Sequence, residues 1–210
     1  MHMSFNKLYA KYLKRAFDIV AAAIGCVFFI PFYAFIKCIH VIQNDQAPVI
    51  FKQNRVGLNG KEFVMYKFRT MVPNAEEQLS ELLRDPSYRM EWNANHKLTH
   101  DPRITETGLF LRRTSLDELP QFINILLGDM SLVGPRPLLP GELEQNGGLL
   151  LYNSIRPGLT GWWACNGRSA VRYDERLKME YYYINNVSLK LDLICLFKTL
   201  IVVFTERGAE

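Results

Sequence analysis

The chain begins polar and basic and then turns apolar. Ile19 to Ile36 is an 18-residue run without a charge, set inside "AFDIVAAAIGCVFFIPFYAFIKCIHVI" (16–42), and that length reaches the threshold for a membrane helix. Pro31 stands within it, where a helix loses one backbone hydrogen bond and bends. Both flanks are basic, with Lys7, Lys11, Lys14 and Arg15 before the run and Lys52, Arg55, Lys61, Lys67 and Arg69 after it. Flanks rich in Lys and Arg stay on the cytoplasmic side, so a straight span would have to carry one cluster across. The favoured reading is a helix-break-helix hairpin over residues 1–45 that enters one leaflet and returns, ahead of a straight span or a buried soluble helix. A signal peptide fits poorly, because the apolar part is too long and no small-residue cleavage site follows.

From Pro48 the pattern changes to alternation. "VIFKQNRVGLNGKEFVMYKFRT" predicts two strands joined at Asn59-Gly60, a strong hairpin signal. Lys67 and Arg69 then share a face, which suggests an anion between them or a solvated hairpin edge. Residues 73–102 are a polar, helix-prone insertion with a weak stripe of Leu79, Leu82 and Leu83, broken at Asp85-Pro86. Near the end, "SLKLDLICLFKTLIVVF" (188–204) sets Leu189, Leu193, Leu196, Phe197, Leu200 and Phe204 on one helical stripe. That pattern fits an interface-lying helix and a core helix equally. The fold class expected is α+β, mainly helical, with an N-terminal re-entrant membrane helix hairpin, a short β-hairpin and interfacial amphipathic helices.

Composition narrows the classes. A chain of 210 residues, 49% apolar and 22% charged, is globular rather than disordered and long enough for one real core. A net charge of +4 suits an anionic partner such as a phosphate ligand or a lipid surface, and does not by itself suggest nucleic acid. Cys26, Cys38, Cys165 and Cys195 lie far apart, so neither a zinc site nor a disulfide framework is indicated. His96 and His100 are four apart but lack a third ligand nearby, and read as surface or capping residues. Asn186-Val187-Ser188 matches a glycosylation sequon by chance if the domain faces the cytoplasm.

The chemistry concentrates in "RRTSLDELPQFINILLGDMSLVGPRP" (112–137). Ser115-Leu116-Asp117-Glu118 matches a capping box, with Glu118 reaching back to Ser115, and Pro120 agrees with a helix start. The helix should bury Leu119, Phe122, Ile123 and Leu126 and stop near Gly128. Asp117 then falls in the first turn, where the helix dipole keeps a carboxylate ionised; it can be a cap, a Mg²⁺ ligand or a nucleophile toward phosphorus. Residues 101–180 hold eight Arg (103, 112, 113, 136, 156, 168, 172, 176) and one Lys. Arg is preferred for planar grip on phosphate oxygens, so a phosphorylated, pyrophosphate-like substrate is expected. Pro135 and Pro137 flank Arg136, and Pro157 follows Arg156, fixing φ beside each arginine. No P-loop and no G-x-G-x-x-G is present.

"KFRTM" (67–71), the 112–137 stretch and "RPGLTGWWACNGR" (156–168), behind an N-terminal apolar hairpin, resemble the monotopic polyprenol-phosphate phosphoglycosyl transferase superfamily, hexose-1-phosphate branch. The resemblance implies a catalytic domain over 46–210 at the cytoplasmic face of the bacterial inner membrane. It implies transfer of a sugar 1-phosphate, galactose or glucose 1-phosphate, from a UDP-sugar to undecaprenyl phosphate through an aspartyl intermediate, opening surface-glycan assembly. Asp117 is then the nucleophile and Glu118 its partner. Mg²⁺ is the expected cofactor with Asp117 as a ligand, and Lys67, Arg69, Arg112, Arg136 and Arg156 are phosphate and nucleotide contacts. Membrane lipids are partners, nucleic acid is not, and a homodimer stays open. Here Ile30-Pro31 stands where small members often have Ser-Pro. A non-catalytic membrane adaptor and a UDP-sugar pyrophosphatase are the competing functions.

Overall fold

A computed structural model describes residues 9–95, 98–142, 152–167 and 172–204. Residues 1–8, His96, Arg168 and the "RGAE" ending lie outside the described residues. A π turn, Tyr9–Leu13, leads into helix α1 (Lys14–Ile42) and the strands β1 (Ile50–Val56) and β2 (Glu62–Phe68). Helices α2 (Ala75–Leu82), α3 (Pro86–Asn95) and α4 (Glu106–Arg113) follow, then a 3₁₀ turn at Leu116–Glu118 and helix α5 (Gln121–Leu127). Strands β3 (Ser131–Val133) and β4 (Gly158–Thr160) precede α6 (Tyr173–Asn185) and α7 (Leu189–Phe204).

Helix α1 runs through Pro31 without interruption, so the expected pair of helices around a break is instead one 29-residue helix. A proline removes a single backbone bond, and the turns on either side are each held by packing. It is the one helix among the described residues long and apolar enough to cross a membrane. Its docked positions are Arg15, Asp18, Ala22, Gly25, Phe29, Phe32, Ile36 and His40. They recur every three or four residues, the spacing of one helix face.

Both ends of that face are moored. Lys14 Nζ lies 2.5 Å from Asp192 Oδ2, and the buried Asp192 also accepts the Tyr9 and Tyr183 hydroxyls, each at 2.6 Å. Asp18, likewise buried, accepts Ser131 Oγ at 3.0 Å and the Leu132 N–H at 2.9 Å. At mid-helix the Phe122 ring fills the space a Cβ on Gly25 would need, 2.5 Å from it. At the far end Arg69 donates to Asp45 at 2.6 Å and meets His40 Nδ1 at 3.2 Å. The opposite face exposes Val20, Ile24, Val27, Phe28, Ile30 and Phe35.

β1 and β2 form the expected antiparallel hairpin, with Ile50 opposite Phe68 and Val56 opposite Glu62. Its turn uses left-handed backbone at Asn59 and Gly60, φ 58° and 76°, the conformations that Asn and Gly tolerate best. β3 and β4 pair in parallel, Ser131 with Gly158 and Val133 with Thr160. The main core joins Ala22 of α1, Met65 of β2, Ile125 of α5, Val133 of β3 and Tyr183, Leu191 and Cys195 of α6 and α7. A second cluster packs Ile36 against Val49, Phe68 and Leu111. On helix α7 the expected stripe faces outward at Leu193, Phe197 and Leu200, with Leu196 packed partly against the core, while the buried positions, Leu191, Asp192 and Cys195, lie on the other side.

Candidate active site

The acidic pair sits on a turn, not on the first turn of a helix. Helix α4 ends at Arg113, and Ser115 adopts φ 56°, ψ 17°, a left-handed conformation uncommon for a residue with a Cβ. That reversal sends the chain into the 3₁₀ turn carrying Asp117 and Glu118, and α5 begins only at Gln121. The capping box therefore does not form. Ser115 makes no capping hydrogen bond, and Glu118 Oε1 instead takes Lys67 Nζ at 2.8 Å. Left-handed Ser115 lacks the extended backbone of an N-cap, and Lys67 offers Glu118 a full charge. Gly128 ends α5 at φ 95° as expected. Gln121, Asn124 and Ile125 are the buried positions of α5, with Phe122 partly buried, while Leu126 points outward, contrary to the expected pattern.

Burial, then repulsion from Glu118, pushes the Asp117 carboxyl up to about 6, against the opposing pull of Lys67, Arg112 and a backbone hydrogen bond. A helix terminus would have lowered it; burial beside a second acid does the reverse. At neutral pH the group is still mostly ionised. Its basic neighbours come from two elements: Lys67 from β2, and Arg112 from the last turn of α4, where Nε bonds Thr70 Oγ1 at 2.9 Å.

The register between β2 and the acidic turn is set by Asn124, which is fully buried. Its Nδ2 donates to the Val64 carbonyl at 2.7 Å and its Oδ1 accepts the Tyr66 N–H at 3.0 Å. One α5 side chain thus completes the edge of the strand that presents Lys67. Sequence reasoning passed over Asn124, because its partners are backbone atoms about 60 residues away.

Arg136 stands on the loop after β3, within electrostatic range of Glu118. Its guanidinium lies over Trp163, 5.5 Å from the ring centre, and Arg176 lies over the same ring at 5.3 Å. The buried Glu180 is close by, its carboxyl pushed up to about 7 by burial. Trp163 and Glu180 were not singled out in the sequence, although Trp163 lies inside the quoted "RPGLTGWWACNGR", and Arg176 was named only as one of eight arginines.

The other two arginines go elsewhere. Arg69 does not converge with Lys67 on an anion: its guanidinium is spent on Asp45, His40 and the carbonyls of Pro48 and Met71, which ties the end of α1 to β2. Arg156 Nε bonds the Gly128 carbonyl at 2.8 Å, beside Arg15 on the carbonyls of Ile125 and Leu126. Both arginines sit at the C-terminal, carbonyl end of α5, where cations are favoured, and the dyad is at the other end.

Among the described residues no group of three or more His, Cys, Asp and Glu side chains could hold a metal by itself. Mg²⁺ usually keeps several waters and is held through one or two carboxylates plus substrate phosphates. A half-buried, mutually repelling Asp-Glu pair fits that donor set.

Lys67 and Arg112 thus face the acidic pair, and Arg and Lys are the side chains that grip phosphate oxygens. Residues 9–206 match the model of the bacterial sugar transferase family, and the chain belongs to that family. It is 45% identical over 202 residues to an undecaprenyl-phosphate galactose phosphotransferase of Salmonella typhimurium, covering 95% of this chain and 42% of that protein. It is 42% identical to the exopolysaccharide production protein ExoY of Rhizobium meliloti, over 93% of this chain and 87% of that one. An N-acetylgalactosaminephosphotransferase of Aeromonas hydrophila, also acting on undecaprenyl phosphate by its name, is 37% identical over 98% of this chain and 46% of its own length. The chain spans less than half the length of several of these relatives.

Proposed function

We propose that this protein is a phosphoglycosyl transferase that moves a sugar 1-phosphate, galactose or glucose 1-phosphate, from a UDP-sugar to undecaprenyl phosphate in surface-glycan synthesis. The observation that carries the reading is Asp117: a half-buried carboxylate beside Glu118, faced by Lys67 and Arg112. The names of the relatives support the lipid acceptor and galactose as one cargo.

In this reading an Asp117 carboxylate oxygen attacks the sugar-bearing β-phosphorus. The bond from that phosphorus to the bridging oxygen breaks, and UMP leaves with the electron pair. An oxygen of the lipid phosphate then attacks the same phosphorus and frees the Asp117 carboxylate. Lys67 and Arg112 hold phosphate oxygens and offset the charge that gathers in both transfers. Glu118, held by Lys67, either receives a proton from the incoming phosphate or shares a cation with Asp117. Mg²⁺ bound through Asp117 would neutralise phosphate charge as a Lewis acid.

The membrane arrangement belongs to the same reading. A span of the bilayer would place the ends of α1 on opposite sides of a core about 30 Å thick. Both ends instead contact one domain, through Asp192 at one and Arg69 at the other. This supports a monotopic helix held on one side of the bilayer, at the cytoplasmic face of the inner membrane, with the exposed apolar sides of α1 and α7 in lipid.

Incubation with a UDP-sugar labelled in the sugar should leave label on the protein, and Asp117→Asn should abolish it. UMP release should require polyprenyl phosphate for sustained turnover. Steady release into water alone would make the protein a pyrophosphatase, and neither label nor release would leave a membrane adaptor.

A further inference from the structure

The backbone of the Gly134-Pro135-Arg136-Pro137 loop is held more tightly than a surface loop needs. Gly134 N–H donates to the Thr160 carbonyl at 2.9 Å, and the Pro135 carbonyl accepts Gly158 N–H at 2.8 Å. Arg55 Nη1 donates to the Pro137 carbonyl at 3.0 Å. The Arg136 peptide is gripped on both sides by side chains: its N–H donates to Glu180 Oε1 at 3.1 Å and its carbonyl accepts the Tyr152 hydroxyl at 2.9 Å.

The choice of Glu180 is the informative part. An N–H can be satisfied by any carbonyl, and burying a carboxylate costs several kcal/mol unless cations compensate it. Glu180 is nonetheless 1% exposed, and its Oε2 has no hydrogen-bond partner among the described residues. What surrounds it is positive: Arg136 and Arg176 both act on it and share the Trp163 indole. Two guanidinium groups stacked on one ring repel each other. Glu142, paired with Arg176 at 2.9 Å and acting on Arg136 as well, offsets that repulsion, which leaves Glu180 the task of fixing the Arg136 backbone through its N–H.

We propose that Glu180 and Tyr152 are positioning residues that hold Arg136 in its phosphate-binding geometry in the empty enzyme. The proposal rests on the reading of Arg136 as a phosphate contact. Neither residue touches the substrate. Their work is to remove the backbone entropy that Arg136 would otherwise bring to binding, which is how a preorganised site gains rate.

The test is a double-mutant cycle on the full chain in detergent, read as kcat/KM for UMP release. Glu180→Ala should lower kcat/KM by about ten- to a hundredfold, the scale of a displaced positioning group, and Glu180→Gln, which keeps the acceptor, should recover most of it. Tyr152→Phe, which removes one hydroxyl, should lower kcat/KM in the same direction. In an Arg136→Ala background all three substitutions should become nearly silent, because residues that act through one another are non-additive. Losses that add fully to that of Arg136→Ala would overturn the proposal, as would a neutral Glu180→Ala. If the wild-type chain releases no UMP, the proposed function fails, and the same cycle is read in the affinity for inorganic pyrophosphate. Non-additivity there still sustains the positioning role, and absence of pyrophosphate binding by the wild type overturns it.

Discussion

Lys67 Nζ lies 2.8 Å from Glu118 Oε1, joining residues 51 apart in sequence across β2 and the acidic turn. Both side chains keep about a third of their surface in water, 28% and 36%, so the pair contributes little to folding, on the order of 1 kcal/mol or less. Lys67→Met should therefore leave the melting temperature nearly unchanged while lowering the rate of covalent labelling by about a hundredfold, the scale of losing one charged donor at a transferring phosphoryl group. Equal loss of stability and activity would assign Lys67 to the scaffold.

Asp117 should oppose folding at neutral pH. Its folded pKa, about 6, lies above the ordinary 3.8, so the folded state holds the proton more tightly than the unfolded chain does. The stabilising contribution is complete below about pH 3.8 and is lost as pH rises through about 6. Asp117→Asn should accordingly be more stable than wild type at pH 7.5, by roughly 1–2 kcal/mol after allowance for partial exposure. The gain should vanish in thermal melts near pH 3.5. A variant that melts lower at pH 7.5 would mean that the charge is better compensated than its surroundings indicate. The labelling rate of the wild type should climb with pH and level off above about 6.

Gly25→Val should damage both folding and labelling. The added side chain meets the Phe122 ring at 2.5 Å, and overpacking of this kind costs about 1–3 kcal/mol. Phe122 belongs to the helix that follows the acidic turn. Phe122→Ala in the same chain should relieve the clash, so the double variant should melt no lower than Gly25→Val alone.

Ser115→Val should cost about 1–3 kcal/mol, because a β-branched side chain resists φ 56°. Ser115→Gly accepts that conformation and should lose far less. The contrast is checked by chemical denaturation of both variants, and similar losses from the two would place the importance of Ser115 in its hydroxyl.

The sequence revealed features whose cause is local. Asn59-Gly60 predicts the hairpin because both residues tolerate left-handed backbone, and Gly128 predicts the end of α5 for the same reason. Asp117 and Glu118 stand out because two adjacent acids lie in an arginine-rich stretch. The failures come from distant partners. Ser115-Leu116-Asp117-Glu118 has the spacing of a capping box, yet Glu118 is taken by Lys67, and no local pattern reports a left-handed serine. Pro31 suggests a break, but packing along the face of α1 keeps the helix continuous. Arg69 and Arg156 carry the same charge as Arg112 and sit in equally persuasive motifs, and only the fold separates a helix tether from a residue facing Asp117. Asn124 and Glu180 were invisible because each bonds to the main chain of a remote segment.

The mooring of α1 along its whole length bears on how the protein can be divided. Cutting the chain after Ile42 to obtain a soluble enzyme would strip Ala22 and Ile36 from the two main cores, uncover Phe68 and Phe122, and leave Ser131 and Asp192 without Asp18 and Lys14. Helix α1 is thus a wall of the folded body, and grafting a foreign apolar helix in its place would give a misshapen protein.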